Sequence, residues 1–130
     1  MHSNPTDQFQ TKVASLLVRN SNILDILTKC QICCARLCRS TIKAATGCGC
    51  TRITAEKALS QYSEPLRPSA TEMAGTDGSI CSDCRSSIEN EIGEMLFYVA
   101  SLCNALDISM ADIMKREIKN VEALGKYSLR

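Results

Sequence analysis

Apolar positions recur three and four residues apart in four stretches of the chain, the spacing that lines one face of a helix. The first stretch, Thr6 to Arg19, carries Phe9, Val13, Leu16 and Leu17. Asn4 or Thr6 can cap it, and Pro5 suits a first helical turn. The second starts near Asn22, with Asp25 in its first turn, where the helix dipole favours an anion. Its apolar positions include Ile26, Cys30, Cys34, Leu37, Cys38 and Ile42, and Gly47 is a natural stop. The third runs from Cys84 to about Leu106 through Ile88, Ile92, Met95, Val99, Leu102 and Cys103. The fourth opens at Ser109, with Asp112 three residues on, close to a capping box, and Gly125 ends it. A link as short as Asp107-Ile108 predicts that the last two helices pack antiparallel. The fold class is therefore all-α, a four-helix bundle.

Between Cys50 and Ile80 the pattern breaks. Residues Thr51 to Thr54 suit a short extended piece, and Ala55 to Gln61 suit two helical turns. From Tyr62 to Ser79 the chain carries Pro65, Pro68 and a Gly75-Thr76-Asp77-Gly78 cluster, the marks of a loop. A loop this long in a small domain is functional or disordered unless something ties its ends together. At 130 residues the chain is one helical domain. It divides into N-terminal helices over 1–47, a clamped loop over 48–84 and a helical hairpin over 85–130. Apolar residues on nearly every side of the second and third helices call for more burial than one protomer offers, which predicts a homodimer.

Charge narrows the functions. The chain has 15 basic and 14 acidic residues, a net +1, which removes the electrostatic case for binding nucleic acid or an anionic membrane. No run approaches the length of a spanning helix. The opening lacks the basic start and apolar run of a secretory signal. His2 is the one histidine, so no histidine base or triad is available. Cysteine is the outlier, at 9 residues, an odd count that a full set of disulfides cannot use. So many thiols point to the reducing cytoplasm.

The cysteines fall into two groups. Cys30, Cys33, Cys34 and Cys38 lie at helical spacing within the second helix. They read first as small buried hydrophobes, as does Cys103 in the third helix. Cys30-Gln31-Ile32-Cys33 is formally a CxxC, so a ligand or redox role is the alternative, but a straight helix aims both sulfurs poorly. The second group is Gly47-Cys48-Gly49-Cys50, where one helix ends, and Cys81-Ser82-Asp83-Cys84, where another begins. Two cysteine pairs on turning backbone can supply four thiolates to a tetrahedral ion. Glycines 47 and 49 allow a tight turn that aims N–H groups at sulfur, and Cys84 opens a helix whose dipole favours a thiolate. Lys43, Arg52 and Arg85 are near enough in sequence to offset the charge. Zinc at Cys48, Cys50, Cys81 and Cys84 is the first reading, and such an ion would supply folding energy by closing the loop. An iron–sulfur cluster takes the same ligands, and a thiol switch is the third use.

Glu91 and Glu94 are one turn apart on the third helix, where they form either a solvated face or a pair able to hold magnesium. The run Glu91-Ile92-Gly93-Glu94-Met95-Leu96-Phe97-Tyr98, followed by Leu106-Asp107-Ile108-Ser109 and Lys119-Asn120, resembles the second half of a MazG-like nucleotide pyrophosphohydrolase. The resemblance covers Glu89 to Tyr127. It implies an all-α dimer that hydrolyses nucleoside triphosphates to monophosphate and pyrophosphate, with magnesium held by four acidic residues. Carried onto this chain, it implies Glu91 and Glu94 as magnesium ligands and Lys119 and Asn120 as nucleotide contacts. The family's preceding helix carries Glu-Glu-x-x-Glu. Here Cys30 to Arg39 holds no carboxylate, and Arg36 and Arg39 would repel the cation. The whole chain is also similar to a group of small Gram-positive bacterial proteins of no established activity, whose signature is the CGC and CxxC pairs.

Three functions follow as expectations. The first is a zinc-stabilised MazG-like module, non-catalytic or weakly catalytic, that binds a nucleotide or protein partner. The second is an active pyrophosphohydrolase whose missing ligands come from Glu56, Glu64 or Glu72. The third is a thiol-based redox or metal sensor.

Overall fold

The computed structural model describes residues 4–16, 22–53, 76–77 and 79–125. Four helices carry most of them: α1 (Pro5–Leu16), α2 (Ile23–Lys43), α3 (Ser82–Ala105) and α4 (Met110–Gly125). Short local bonds explain where each begins, because the first N–H groups of a helix have no partner inside it. Asn4 Oδ1 accepts the Thr6 N–H at 2.7 Å, and Asn22 Oδ1 accepts that of Leu24 at 2.9 Å. Ser109 Oγ accepts the Asp112 N–H at 3.2 Å. At the head of α3 the acceptor is sulfur: the Cys84 N–H points to Cys81 Sγ at 3.4 Å.

α2 does not stop at Gly47. It widens into a π-helical turn, Ala44–Cys48, and closes at Gly49, whose φ of +82° is left-handed and whose N–H donates to Ala44 O at 2.9 Å. The glycine that ends a helix is the one with positive φ, and here that is residue 49. A strand pair follows, β1 (Arg52–Ile53) against β2 (Thr76–Asp77), antiparallel, with Arg52 opposite Asp77 and Ile53 opposite Thr76. The short extended piece expected at residues 51–54 is β1, and two residues expected in the loop form β2. Residues 62–75 and 78 of that loop, the helical turns expected at 55–61, and Glu56, Glu64 and Glu72 lie outside the described residues.

Contacts divide the chain into two units, Met1–Gln31 with Met95–Arg130, and Ile32–Glu94. The first unit has a small core of Val13, Ala100, Cys103 and Met110, with Phe97 packed against it, and Ile26 is also buried. Its corner is held by one side chain. Gln10 donates from Nε2 to Ile108 O at 2.7 Å and to Asn104 Oδ1 at 3.0 Å, and its Oε1 accepts the Met110 N–H at 2.9 Å. Asn104 returns a bond from Nδ2 to Gln10 O at 3.1 Å. With α1 bonded to the link in this way, and Asp107 at a left-handed φ of +56°, α3 and α4 turn by 109° instead of folding back antiparallel. A short link alone predicts an antiparallel pair; the side chain that fills this corner comes from α1, some 94 positions away in the chain.

In the second unit Cys33 and Ala44 are buried along α2. Of the four helix cysteines assigned to the core, only Cys33 is buried; Cys30 is half-buried, and Cys34 and Cys38 are exposed. They wind around the helix, so one inward face cannot take them all. Cys103 is buried as expected, and burial pushes its thiol pKa up, as it does for Cys30.

Candidate metal centre

The π-helical end of α2 delivers Cys48, the turn at Gly49 delivers Cys50, and the start of α3 delivers Cys81 and Cys84. The β1–β2 pair closes the excursion between Cys50 and Cys81, so both cysteine pairs meet at its base. The four sulfurs all lie within 4.8 Å of one another. Cys48 Sγ and Cys81 Sγ are 3.8 Å apart, too far for a disulfide, and none of the nine cysteines is in a disulfide. A tetrahedral ion with metal–sulfur bonds of about 2.3 Å needs sulfur–sulfur edges of about 3.8 Å. The spacing therefore fits a single ion held by four thiolates. Cys48 is exposed, and the other three are half-buried.

The electrostatics set the thiols of the cluster apart. The Cys81 thiol is held down to about 7, chiefly because its sulfur accepts the backbone N–H of Cys84 and then because of that residue's thiol. Cys84 is pushed up to about 12 by its side-chain contact with Cys81 and by burial, and Cys48 is raised by its own contact with Cys81. The protein alone thus favours a thiolate at Cys81 and resists one at Cys84, and a divalent ion bound there would favour the thiolates. The helix terminus favours Cys81, which precedes α3 as its cap, and not Cys84, where the sequence reading put the benefit. The capping spacing, an acceptor side chain three positions before the N–H that donates to it, was legible in Cys81-Ser82-Asp83-Cys84. Lys43, Arg52 and Arg85 are all exposed.

Gly49 is required for its dihedral angle and not for space, since a Cβ there would meet nothing within 4 Å. Gly49→Ala should cost about 1 kcal/mol through left-handed strain. Gly47 has no positive φ and equally open surroundings, so Gly47→Ala should cost nothing. Paired thermal melts check the difference, and equal losses would contradict the assignment of the turn.

The carboxylates sit in the same unit but face an arginine. Arg36 Nε lies 3.7 Å from Glu91 Oε2, and Arg36 Nη1 lies 3.7 Å from Glu94 Oε1. Glu91 Oε2 is shielded from solvent and accepts no hydrogen bond among the described residues, so the guanidinium is its compensation. Lys119 and Asn120 are exposed on α4, and Asn120 donates to Glu117 Oε2 at 3.3 Å. Nothing matches the chain among family models, characterised proteins or solved structures. No single helix among the described residues is long and apolar enough to cross a membrane.

Proposed function

We propose that this chain is a zinc-stapled, MazG-like helical module that binds a nucleotide or a protein partner without hydrolysing it, and works as a homodimer in the cytoplasm. The observation that carries the metal reading is the four-sulfur cluster with its 3.8 Å edge. Zinc suits a closed set of four thiolates with no position left open. A multi-iron cluster places its thiolates on different irons and so sets them wider apart than a single ion does. The odd number of cysteines, nine, and the lack of any pairing that would use them all support a reducing compartment.

The non-catalytic half of the reading rests on Arg36. Magnesium needs several oxygen ligands in a near-octahedral shell. Here Glu91 and Glu94 already share a guanidinium, and no carboxylate stands on the facing stretch of α2. A fixed positive charge does for the two carboxylates what an ion would do, with no position for substrate. Incubation with a panel of nucleoside triphosphates and magnesium should release no pyrophosphate above the level of Glu91→Ala or Glu94→Ala. Binding should show as a thermal shift with nucleotide or as retention of a protein partner. Release that disappears in Glu91→Ala would replace this reading with the pyrophosphohydrolase.

A second reading, a peroxide-responsive switch, is favoured by the exposure of Cys48 and its approach to Cys81. The Cys48 thiolate would attack a peroxide oxygen, giving a sulfenic acid and hydroxide. The Cys81 thiolate would then displace hydroxide from that sulfur to form the disulfide, and the ion would leave with two ligands lost. Metal retained through an excess of hydrogen peroxide would remove this reading.

A further inference from the structure

We propose that the outer face of α4 is the seam on which a second copy of this chain docks, helix against antiparallel helix. The inference deepens the homodimer reading by naming its surface, and it owes nothing to the metal. In the first unit α4 is buried only at its start, at Met110 and Ala111. Every residue from Asp112 to Ala123 is exposed, and Leu124 is half-buried. Helices of this length are marginal in water without a packed face. Yet α4 has such a face: Met114, Ile118 and Val121 are 50%, 56% and 53% exposed. With Glu117 and Glu122 they line a shallow groove of about 370 Å³.

The charges beside the stripe select the occupant and its direction. Ala111, Met114, Ile118, Val121 and Gly125 follow a three-four alternation, the seam of a two-helix coil. In an antiparallel pair, Ile118 meets Val121 of the second copy and Met114 meets its Gly125. Lys115 then lies beside Glu122 of the second copy, and the two-fold axis repeats the pair. A parallel pair would instead bring Glu117 against Glu122, two like charges. The face is thus self-complementary in one orientation only, as an isologous interface requires.

Sedimentation equilibrium on the full chain at about 1 to 100 µM suits a seam smaller than a standard interface. The wild type should dimerise. Ile118→Asp, on an exposed position, should be monomeric with unchanged helical circular dichroism. Lys115→Glu and Glu122→Lys should each weaken association about tenfold, because each sets like charges against each other twice. An equimolar mixture of the two should recover wild-type association as a heterodimer. A monomeric wild type, a dimer untouched by Ile118→Asp, or a mixture no tighter than its components would each overturn the proposal. Zinc is counted on the same samples, so loss of association with metal retained separates a failure here from a failure of the metal reading.

Discussion

Serine at position 48 or 84 should take the protein, purified without added metal, from about one zinc per chain to none, and lower its melting temperature by roughly 10 °C. The size of the effect follows from what the ion replaces. Among its described residues the second unit buries only small side chains: Cys33 on α2, Ala44 in the π-helical turn, and Thr51 beside β1. A two-residue strand pair cannot hold the ends of a long excursion together in water without help. An ion held by the four sulfurs would supply that help by favouring their thiolates, which the Cys84 thiol beside Cys81 otherwise resists forming. Chelation of the wild type should reproduce the substitutions, while Cys34→Ser and Cys38→Ser, exposed on α2, should keep the metal. Elemental analysis and melting curves on the same preparations check all of this. Iron in place of zinc would change the identity of the ion, and neither metal would remove the centre.

The four-cysteine cluster was legible because its signal is local. Two cysteine pairs at helix boundaries, with turn-permitting residues around them, mark a chelating backbone in any fold, and the helix caps at Asn4, Asn22 and Ser109 are short-range in the same sense. What could not be read is what depends on a neighbour distant in the chain. Arg36 was recognisable as a charge that would repel a cation, but its reach to Glu91 and Glu94 is a matter of how α2 and α3 lie within the second unit. The helix cysteines misled because spacing in sequence gives a stripe without saying which part of it faces inward. The turn between α3 and α4 depends on Gln10, which lies 94 positions from Asn104 and belongs to no motif.

That glutamine makes the second large prediction. Gln10→Ala removes two donors and one acceptor at once, and leaves the Met110 N–H, the Ile108 carbonyl and Asn104 Oδ1 without their partner, while Asn104 Nδ2 keeps its bond to the backbone carbonyl of residue 10. The bonds to Asn104 and Met110 are half-buried and each loss costs of the order of 1 kcal/mol, while the bond to Ile108 is exposed and adds little, so the variant should be destabilised by about 2 kcal/mol. Gln10→Glu separates hydrogen bonding from volume. The carboxylate can still accept from Met110, but it turns an acceptor toward Ile108 O and Asn104 Oδ1, so it should be no better than alanine at neutral pH. Urea unfolding of the wild type and both variants measures this. Zinc content should be unchanged in each, because the corner and the metal ligands belong to different units. A glutamate variant as stable as the wild type would mean that water satisfies the corner, and that the 109° turn is set by the Asp107 backbone instead.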